Sequence, residues 1–387
     1  MIHRRHVFHL GLWGSAGALL SWGGWPTSAD GASRGLRPVL TPFLDRLPLP
    51  PAPRPIDWQP NQLPWPDLDT EALSYVNPSQ TEGKVTFYRV VAEVRQVKFH
   101  SQLPATEVWG YRDGHPALAH VPWTYALGPT FRQPLANHSD CSGVIVRYVN
   151  QLPTAQAHRG FGEPRCSVHL HGGHQPARFD GYPTNLTLPD GSPFKVTFDS
   201  GEHFDYAYPL VDAGYFTGGT HGAHSERAST MWYHDHIIDF TAQNVYRGLS
   251  GLFLVYDNPL IDPRDPHRDA LVEHTRDTHD ETNAAGAPRA LRLPSGAFDI
   301  PLVFQEKTFG LNGELIYDVF NTDGFLGDQY VVNGMVQPYL PVKRRKYRLR
   351  FLNGSNARFY QLFLTDKSGT VTRCSKSPPR AACWHGP

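Results

Sequence analysis

The stretch KVTFYRVVAEVRQVKF, residues 84–99, decides the fold, because apolar and polar residues alternate along a run rich in β-branched side chains. Such alternation places apolar side chains on one face of a β-strand and polar ones on the other. Residues 144–153, VIVRYVNQLP, and residues 248–257, GLSGLFLVYD, follow the same pattern. The chain also holds 35 glycines and 35 prolines, which favour short strands joined by turns over long helices. We therefore predict an all-β fold.

A second block of strand-like sequence begins near Leu293. It contains AFDIPLVFQEKTF (297–309), GDQYVVNGMVQPYLPV (327–342) and RKYRLRFLNGSNARFYQLFLTD (345–366), with Gly, Asn and Pro at the turns. Residues 259–292, between the blocks, are polar and charged and are predicted to form a linker. The sequence predicts one β-sandwich or barrel domain over residues 76–258 and part of a second over residues 293–372. Residues 31–75 are predicted to form a proline-rich arm laid over a domain surface.

The overall charge argues against two classes of partner. The 387 residues include 36 acids and 36 bases, so neither nucleic acid nor an anionic membrane is expected to bind. The four cysteines are too few for a disulfide framework, and none forms the C-x-x-C pair of a thiolate zinc site. Cys141 and Cys166 could form a disulfide in an exported protein or remain free buried thiols.

The N-terminal residues 1–30 resemble an export signal. Arg4 and Arg5 precede an apolar run from Leu10 to Trp22, a layout typical of signal peptides and similar to the twin-arginine type. An exported protein, periplasmic or extracellular, is therefore expected; the alternative is a disordered basic terminus. No other stretch is long and apolar enough to span a bilayer.

Two histidine pairs share one spacing, in CSVHLHGGH (166–174) and in MWYHDH (231–236). The pairs are His169 with His171 and His234 with His236. Residues i and i+2 of a strand share a face, so two such pairs on neighbouring strands would bring four imidazoles together. Neutral imidazole suits copper, zinc, iron or nickel. Trp232 and Tyr233 are predicted to pack in the core, and the remaining nearby histidines to lie in loops or around the site: His174, His221 and His224.

These motifs resemble those of the multicopper oxidases, in particular bacterial laccase-like, spore-coat-laccase-like and bilirubin-oxidase-like members. The resemblance is carried by HLHGG followed by DGYP, then WYHDH, then NVYRGLSGLFLVYD, in that order. Residues 327–358 resemble the middle domain of that family, and the resemblance covers about residues 43–366. It implies cupredoxin-like Greek-key β-sandwich domains, one complete and one incomplete in this chain.

The resemblance also implies a role for each motif residue. His169 corresponds to a type 2 copper ligand, and His171, His234 and His236 to ligands of the type 3 copper pair. Asp180, before Gly-Tyr-Pro, corresponds to a carboxylate that helps to deliver protons for oxygen reduction; the alternative is a plain loop aspartate. The implied partners are O₂ and a small reducing substrate, a phenol, an amine or a metal ion. Oligomeric state and substrate identity cannot be predicted.

Two further motifs of the family, of the form HPxHLH and HCHxxxH, do not occur in this sequence. They would supply the other trinuclear ligands and the whole type 1 copper site, so we expect a chain that is truncated before the third cupredoxin domain and inactive. The tail, residues 373–387, has no strand pattern. Read in another frame, the codons of this tail could encode a segment similar to one found in the family. We therefore predict a frameshift before the tail, which sequencing of the DNA would test.

Two other functions compete with this prediction. A zinc or iron enzyme with hydrolytic or dioxygenase chemistry could draw two histidines and one carboxylate from the same motifs. An exported copper-binding or scaffolding protein of cupredoxin fold would keep the histidines without catalysis. Metal analysis separates them: copper supports an oxidase or a copper-binding relative, zinc or iron supports the second enzyme class, and no metal supports a scaffold.

Overall fold

The computed structural model describes residues 6–8, 37–58, 63–76, 85–134, 143–158, 160–210, 230–256, 294, 296–321, 324–344, 347–365 and 371–372. The predicted linker and tail lie outside these residues, as does the predicted export segment apart from residues 6–8. In the described part, no helix is long and apolar enough to cross a membrane.

Short strands dominate the described residues, with two α-helices of one to two turns. The helices are α1 (Thr70–Val76) and α2 (Thr241–Arg247). The strands are β1 (His6–Phe8), β2 (Thr86–Val97), β3 (Thr106–Asp113), β4 (Phe131–Pro134), β5 (Val144–Gln151), β6 (Val168–His171), β7 (Leu186–Thr187), β8 (Pro193–Phe194), β9 (His203–Tyr208), β10 (Thr230–Asp235), β11 (Ser250–Tyr256), β12 (Asp299–Phe309), β13 (Leu315–Ile316), β14 (Gln329–Val332), β15 (Met335–Val336), β16 (Leu340–Val342), β17 (Arg348–Asn353), β18 (Leu364–Thr365) and β19 (Val371–Thr372). Short 3₁₀ helices span Pro116–Leu118, Ala177–Phe179 and Gly296–Phe298.

Two four-stranded sheets, packed face to face, form the first part of the molecule. One sheet has the strand order β3-β2-β5-β9 and the other β4-β11-β10-β6. The chain crosses repeatedly between them, which leaves one parallel pair in each sheet, β2 with β5 and β4 with β11. This mixture of antiparallel neighbours and crossovers is a Greek-key sandwich. The prediction of an all-β, cupredoxin-like fold is confirmed.

Alternation along β10 and β6 determines which side chains reach the core. Met231 and Tyr233 are buried between the sheets, and the ring of Tyr233 packs 5.4 Å from that of Tyr111. On β6 the inward residues are Val168 and Leu170, both buried. The intervening side chains therefore lie on the outer face of this sheet.

A third sheet of five strands follows. Four of them have the order β13-β12-β14-β15, and the fifth, β17, also pairs with β12. The turn between β14 and β15 consists of Asn333 and Gly334, with φ of +51° and +82°. Two positive φ angles define the type I′ turn that matches the twist of paired strands, and Asn-Gly is its preferred sequence. β1 pairs with β16 at the edge of this part of the chain.

The residues of the predicted arm lie across both parts. The Leu47 amide donates to the carbonyl of Tyr339, and the Ile56 amide donates to the carbonyl of Phe87, each at 2.8 Å. The end of the arm forms α1, a helix that the sequence did not predict. It buries Ala72 and Val76 in the first core.

The buried lysine Lys307, on β12, makes the stability of the fold depend on pH. Its side chain is buried, donates to the carbonyl oxygen of Tyr246 and lies 4.4 Å from the centre of the Tyr246 ring. Burial lowers the pKa of this amine to about 7, against 10.5 for an exposed lysine. Between these values the unfolded chain binds the proton and the folded chain does not, so stability rises with pH.

In the parent chain, the free energy of unfolding should rise by up to roughly 4–5 kcal/mol between about pH 7 and pH 10. We expect Lys307→Met to remove this rise. Urea unfolding at several pH values measures this slope. Lys98→Met, at an exposed lysine, is the control and should keep the parent slope. A Lys307→Met chain with the parent slope would show that the buried amine does not titrate in this window.

Candidate metal centre

The four paired histidines meet on the outer face of the second sheet. β6 and β10 are antiparallel neighbours, and their register places His234 opposite His169 and Trp232 opposite His171. Because His169 and His171 alternate with buried apolar residues, both rings leave the sheet on the same side as His234. His236 lies one residue beyond the end of β10. The structure thus brings together all four histidines singled out in the sequence.

The imidazoles are close enough to share a metal ion. Nδ1 of His171 lies 3.3 Å from Nε2 of His234. One ligand atom from each of His169, His171 and His234 lies within 4.8 Å of the others. The ring of His236 is 5.1 Å from that of His169, centre to centre. Among the described residues, this is the only such group of potential metal ligands.

Backbone carbonyls orient two of the rings. Nδ1 of His169 lies 2.5 Å from the carbonyl oxygen of Asp180, and Nδ1 of His234 lies 2.8 Å from that of Asp235. A carbonyl oxygen only accepts hydrogen bonds, so each Nδ1 carries the proton. Nε2 of each of these two rings is thereby left unprotonated, the state in which imidazole binds a metal, and that of His234 faces Nδ1 of His171.

Burial lowers the pKa values of three of the imidazoles, those of His171, His234 and His236, and so favours their neutral form. Burial first, and then the neighbouring histidines, lower the pKa of His234 to about 3, against the opposing effect of its hydrogen bond to the Asp235 carbonyl. The pKa values of His171 and His236 are also lowered, first by burial and then by the proximity of His169. Since protonation competes with metal binding, these shifts favour binding down to a lower pH than free histidine would allow.

The sequence of the chain is similar to those of laccases and related oxidases. A laccase of Bacillus stratosphericus is 30% identical over 356 residues, which cover 86% of this chain and 53% of the relative. The bilirubin oxidase of Albifimbria verrucaria is 29% identical over 313 residues, covering 80% of this chain and 41% of the relative. The chain belongs to the laccase-like multicopper oxidase family. It spans about half the length of the curated relatives it matches.

The crystal structure of a laccase from Pediococcus acidilactici superimposes with a TM-score of 0.47 and 20% identity, covering 82% of this chain and 47% of that one. No family model matches the sequence.

Asp180, the predicted acid of this multicopper oxidase sequence, lies beside the cluster. Its Oδ1 accepts a hydrogen bond of 2.7 Å from Gln175 and lies 3.3 Å from Nδ1 of His169. About half of its side chain is exposed. Gly181 follows with φ of +76°, and a Cβ atom there would lie 2.4 Å from the carbonyl oxygen of Val168. This glycine lets the Asp180 loop pass close against β6.

The predictions for the two residues before His234 differ in outcome. Tyr233 is in the core, as expected. Trp232 instead lies on the outer face, where its ring is 4.3 Å from that of His234 and stacks at 5.8 Å on that of His171. There it still packs against a core, since Trp232 contacts the separate buried cluster formed by Leu127, Leu252 and Val303. The spacing of two between Trp232 and His234 was the signal for this placement.

The other residues considered in the sequence lie outside the cluster or outside the described residues. His174 is exposed in the loop after β6 and is not in the group of potential ligands. His221 and His224 lie outside the described residues. Cys166 is a free thiol buried in the first core, and Cys141 also lies outside the described residues.

Proposed function

We propose that the protein is a laccase-like multicopper oxidase, which couples one-electron oxidation of phenols, amines or metal ions to four-electron reduction of O₂ to water. The convergence of four imidazoles on one face of two adjacent strands carries this proposal. The names of the relatives, laccase and bilirubin oxidase, agree with it. The substrate, the partners and the activity of the whole protein remain part of the proposal.

The donor set fits copper. Imidazole nitrogens suit copper, and burial favours the neutral, metal-binding form of His171, His234 and His236. We assign His169 to the type 2 copper and the remaining three to the type 3 pair: His171, His234 and His236. When bound, such a copper cluster would accept electrons and reduce O₂.

The roles of the protein groups are binding, orientation and proton supply. The carbonyls of Asp180 and Asp235 fix the rings of His169 and His234 with Nε2 unprotonated. Asp180 would hold a proton at its carboxyl group, where Gln175 positions Oδ1 and half of the side chain remains open to solvent.

Asp180→Asn tests the proton role against a ligand role. The asparagine retains an oxygen that can accept from Gln175, so we expect the copper content of the purified chain to stay unchanged. Copper per chain is measured by elemental analysis after dialysis. A drop of one copper per chain would identify Asp180 as a ligand and contradict the assignment.

We further propose that the 387 residues alone do not turn over as a laccase. The sequence contains neither of the two family motifs expected to complete the trinuclear centre and the type 1 site. The purified, copper-loaded chain should show no intense blue absorption and no O₂ uptake with a phenol. Either signal would overturn this proposal.

We also propose the domain boundaries of the chain and its location. Residues 76–258 would form the first cupredoxin-like domain, residues 259–292 a linker and residues 293–372 part of a second cupredoxin-like domain. The paired arginines near the N-terminus support export to the periplasm or the cell exterior. Protease protection of the chain in intact cells would contradict an extracellular location.

One observation favours the alternative of an exported copper-binding protein without catalysis. Three of the imidazoles alone, those of His169, His171 and His234, already present ligand atoms within 4.8 Å. That set could hold a single ion. One tightly bound copper per chain and no oxidase activity in any longer form of the protein would support this alternative.

A further inference from the structure

Asp235 separates the two histidines of the second pair, and its side chain points away from them into the protein. It is fully buried. Oδ1 accepts from the Ser167 amide at 3.2 Å, while Oδ2 accepts from the Ile237 amide at 3.2 Å and from Nδ2 of Asn244 at 2.7 Å. One carboxyl group thus joins three segments: the start of β6, the turn after β10 and α2.

These three segments carry the histidine cluster. Ser167 lies two residues before His169, and its carbonyl accepts from the His236 amide at 2.8 Å. Ile237 directly follows His236. The β6–β10 ladder ends at Asp235, so sheet pairing does not fix His236. Its position depends instead on the bonds made by Ser167 and Asp235.

Asn244 is the only side chain that donates to this carboxyl group among the described hydrogen bonds. It is fully buried. Its Oδ1 accepts from the Glu163 amide at 3.0 Å, and Nδ2 donates to the Glu163 carbonyl at 3.0 Å as well as to Asp235. Because Oδ1 already faces an N–H donor, the amide has a single orientation, with its NH₂ group toward Asp235. Asn244 therefore ties the carboxyl group to α2 and to the loop at residue 163.

We propose that Asp235 and Asn244 are positioning residues for the four-histidine cluster. The bonds of Asp235 reach within two residues of His169 and adjoin His234 and His236, and Asn244 holds Asp235 in place. The inference rests on the proposed metal site, because it assigns these bonds the task of setting the distances between the metal ligands. Groups that hydrogen-bond directly to a metal ligand are typically worth about 10- to 100-fold in metal affinity, whereas Asp235 and Asn244 act through the backbone that carries the ligands, so we take the lower end of this range.

Asn244→Ala in the full 387-residue chain tests the proposal. Co²⁺ is the probe, since its visible d–d absorption reports both affinity and ligand geometry. We expect the Kd for Co²⁺ to rise about tenfold or more and the d–d spectrum to change. If Asn244→Ala does not fold, Asn244→Ser replaces it, because a hydroxyl keeps a donor on a shorter side chain.

Asn333→Gly is the matched control. Asn333 is equally buried and makes three hydrogen bonds, to Val303, Pro48 and Pro301, in the third sheet. Its φ of +51° is one that glycine readily adopts. The control should lose stability and keep the parent Kd and spectrum. Parent-like binding by Asn244→Ala, or an equal change in both variants, would overturn the inference.

A second measurement separates this inference from the proposed function. If the parent chain does not bind Co²⁺, the proposed metal site fails. The imidazole ¹⁵N resonances of the metal-free chain then decide the positioning role alone. We expect those of His234 and His236 to shift in Asn244→Ala and to stay unchanged in Asn333→Gly; unchanged resonances in both would contradict the role.

Discussion

Replacing His234 by alanine is expected to lower the copper affinity of the chain by more than about 100-fold. His234 is the most buried of the four histidines, and its Nε2 lies 3.3 Å from Nδ1 of His171. Changing a group that merely supports a metal ligand costs about 10- to 100-fold, so loss of a central ligand should cost more. Competition with a chromophoric copper chelator measures the affinity.

His174→Ala is the control for this experiment. His174 lies in the loop directly after the strand that carries the first pair, but it is exposed and outside the group of potential ligands. Its replacement should change the copper affinity by less than about twofold, within the scatter expected for a surface position. Equal losses for both variants would mean that copper binds to surface histidines and not to the cluster.

Replacing Asp299 by asparagine is expected to destabilise the protein by about 3–5 kcal/mol, the cost of breaking a buried ion pair. The buried carboxylate of Asp299 accepts from Nε and Nη2 of Arg350 at 2.8 and 2.9 Å and from the hydroxyl of Tyr256 at 2.8 Å. Arg350 in turn donates to Thr230 at 3.1 Å. The variant removes the carboxylate charge that faces the buried guanidinium of Arg350.

This pair joins the two parts of the molecule. Asp299 begins β12 and Arg350 lies on β17, whereas Tyr256 and Thr230 belong to β11 and β10 of the second sheet. The free energy of unfolding, from urea titrations followed by tryptophan fluorescence, measures the loss. Asp199→Asn, which breaks the exposed pair with Arg165, is the matched control and should cost less than about 1 kcal/mol. A similar small loss for Asp299→Asn would show that the buried pair does not stabilise the junction.

Local patterns in the sequence predicted much of the site. Period-two alternation placed His169 and His171 on one face, and the structure has β6 there. The same rule, applied to Trp232, would have placed its ring beside His234. Asn333-Gly334 likewise carried its own turn geometry, since few residue pairs adopt two positive φ angles.

Long-range features could not be predicted in this way. The pairing of β6 with β10 joins residues more than 60 positions apart, and no local pattern fixes its register. Neither short helix was predicted, because a helix of seven residues is stabilised by packing and not by propensity. The hydrogen bond between Asp235 and Asn244 depends on the strand pairing and on the helix, since α2 carries the asparagine to a carboxyl group at the end of β10.

The central claim is that the four imidazoles form a copper site. Copper K-edge X-ray absorption of the purified, copper-loaded chain tests it most directly, with the double variant His169→Ala/His234→Ala measured in parallel. We expect imidazole nitrogens to dominate the copper ligands, with the multiple scattering typical of histidine rings and no sulfur, and we expect the double variant to lose this signal. Retention of the same histidine-rich signal by the double variant, or absence of bound copper in the parent chain, would contradict the claim.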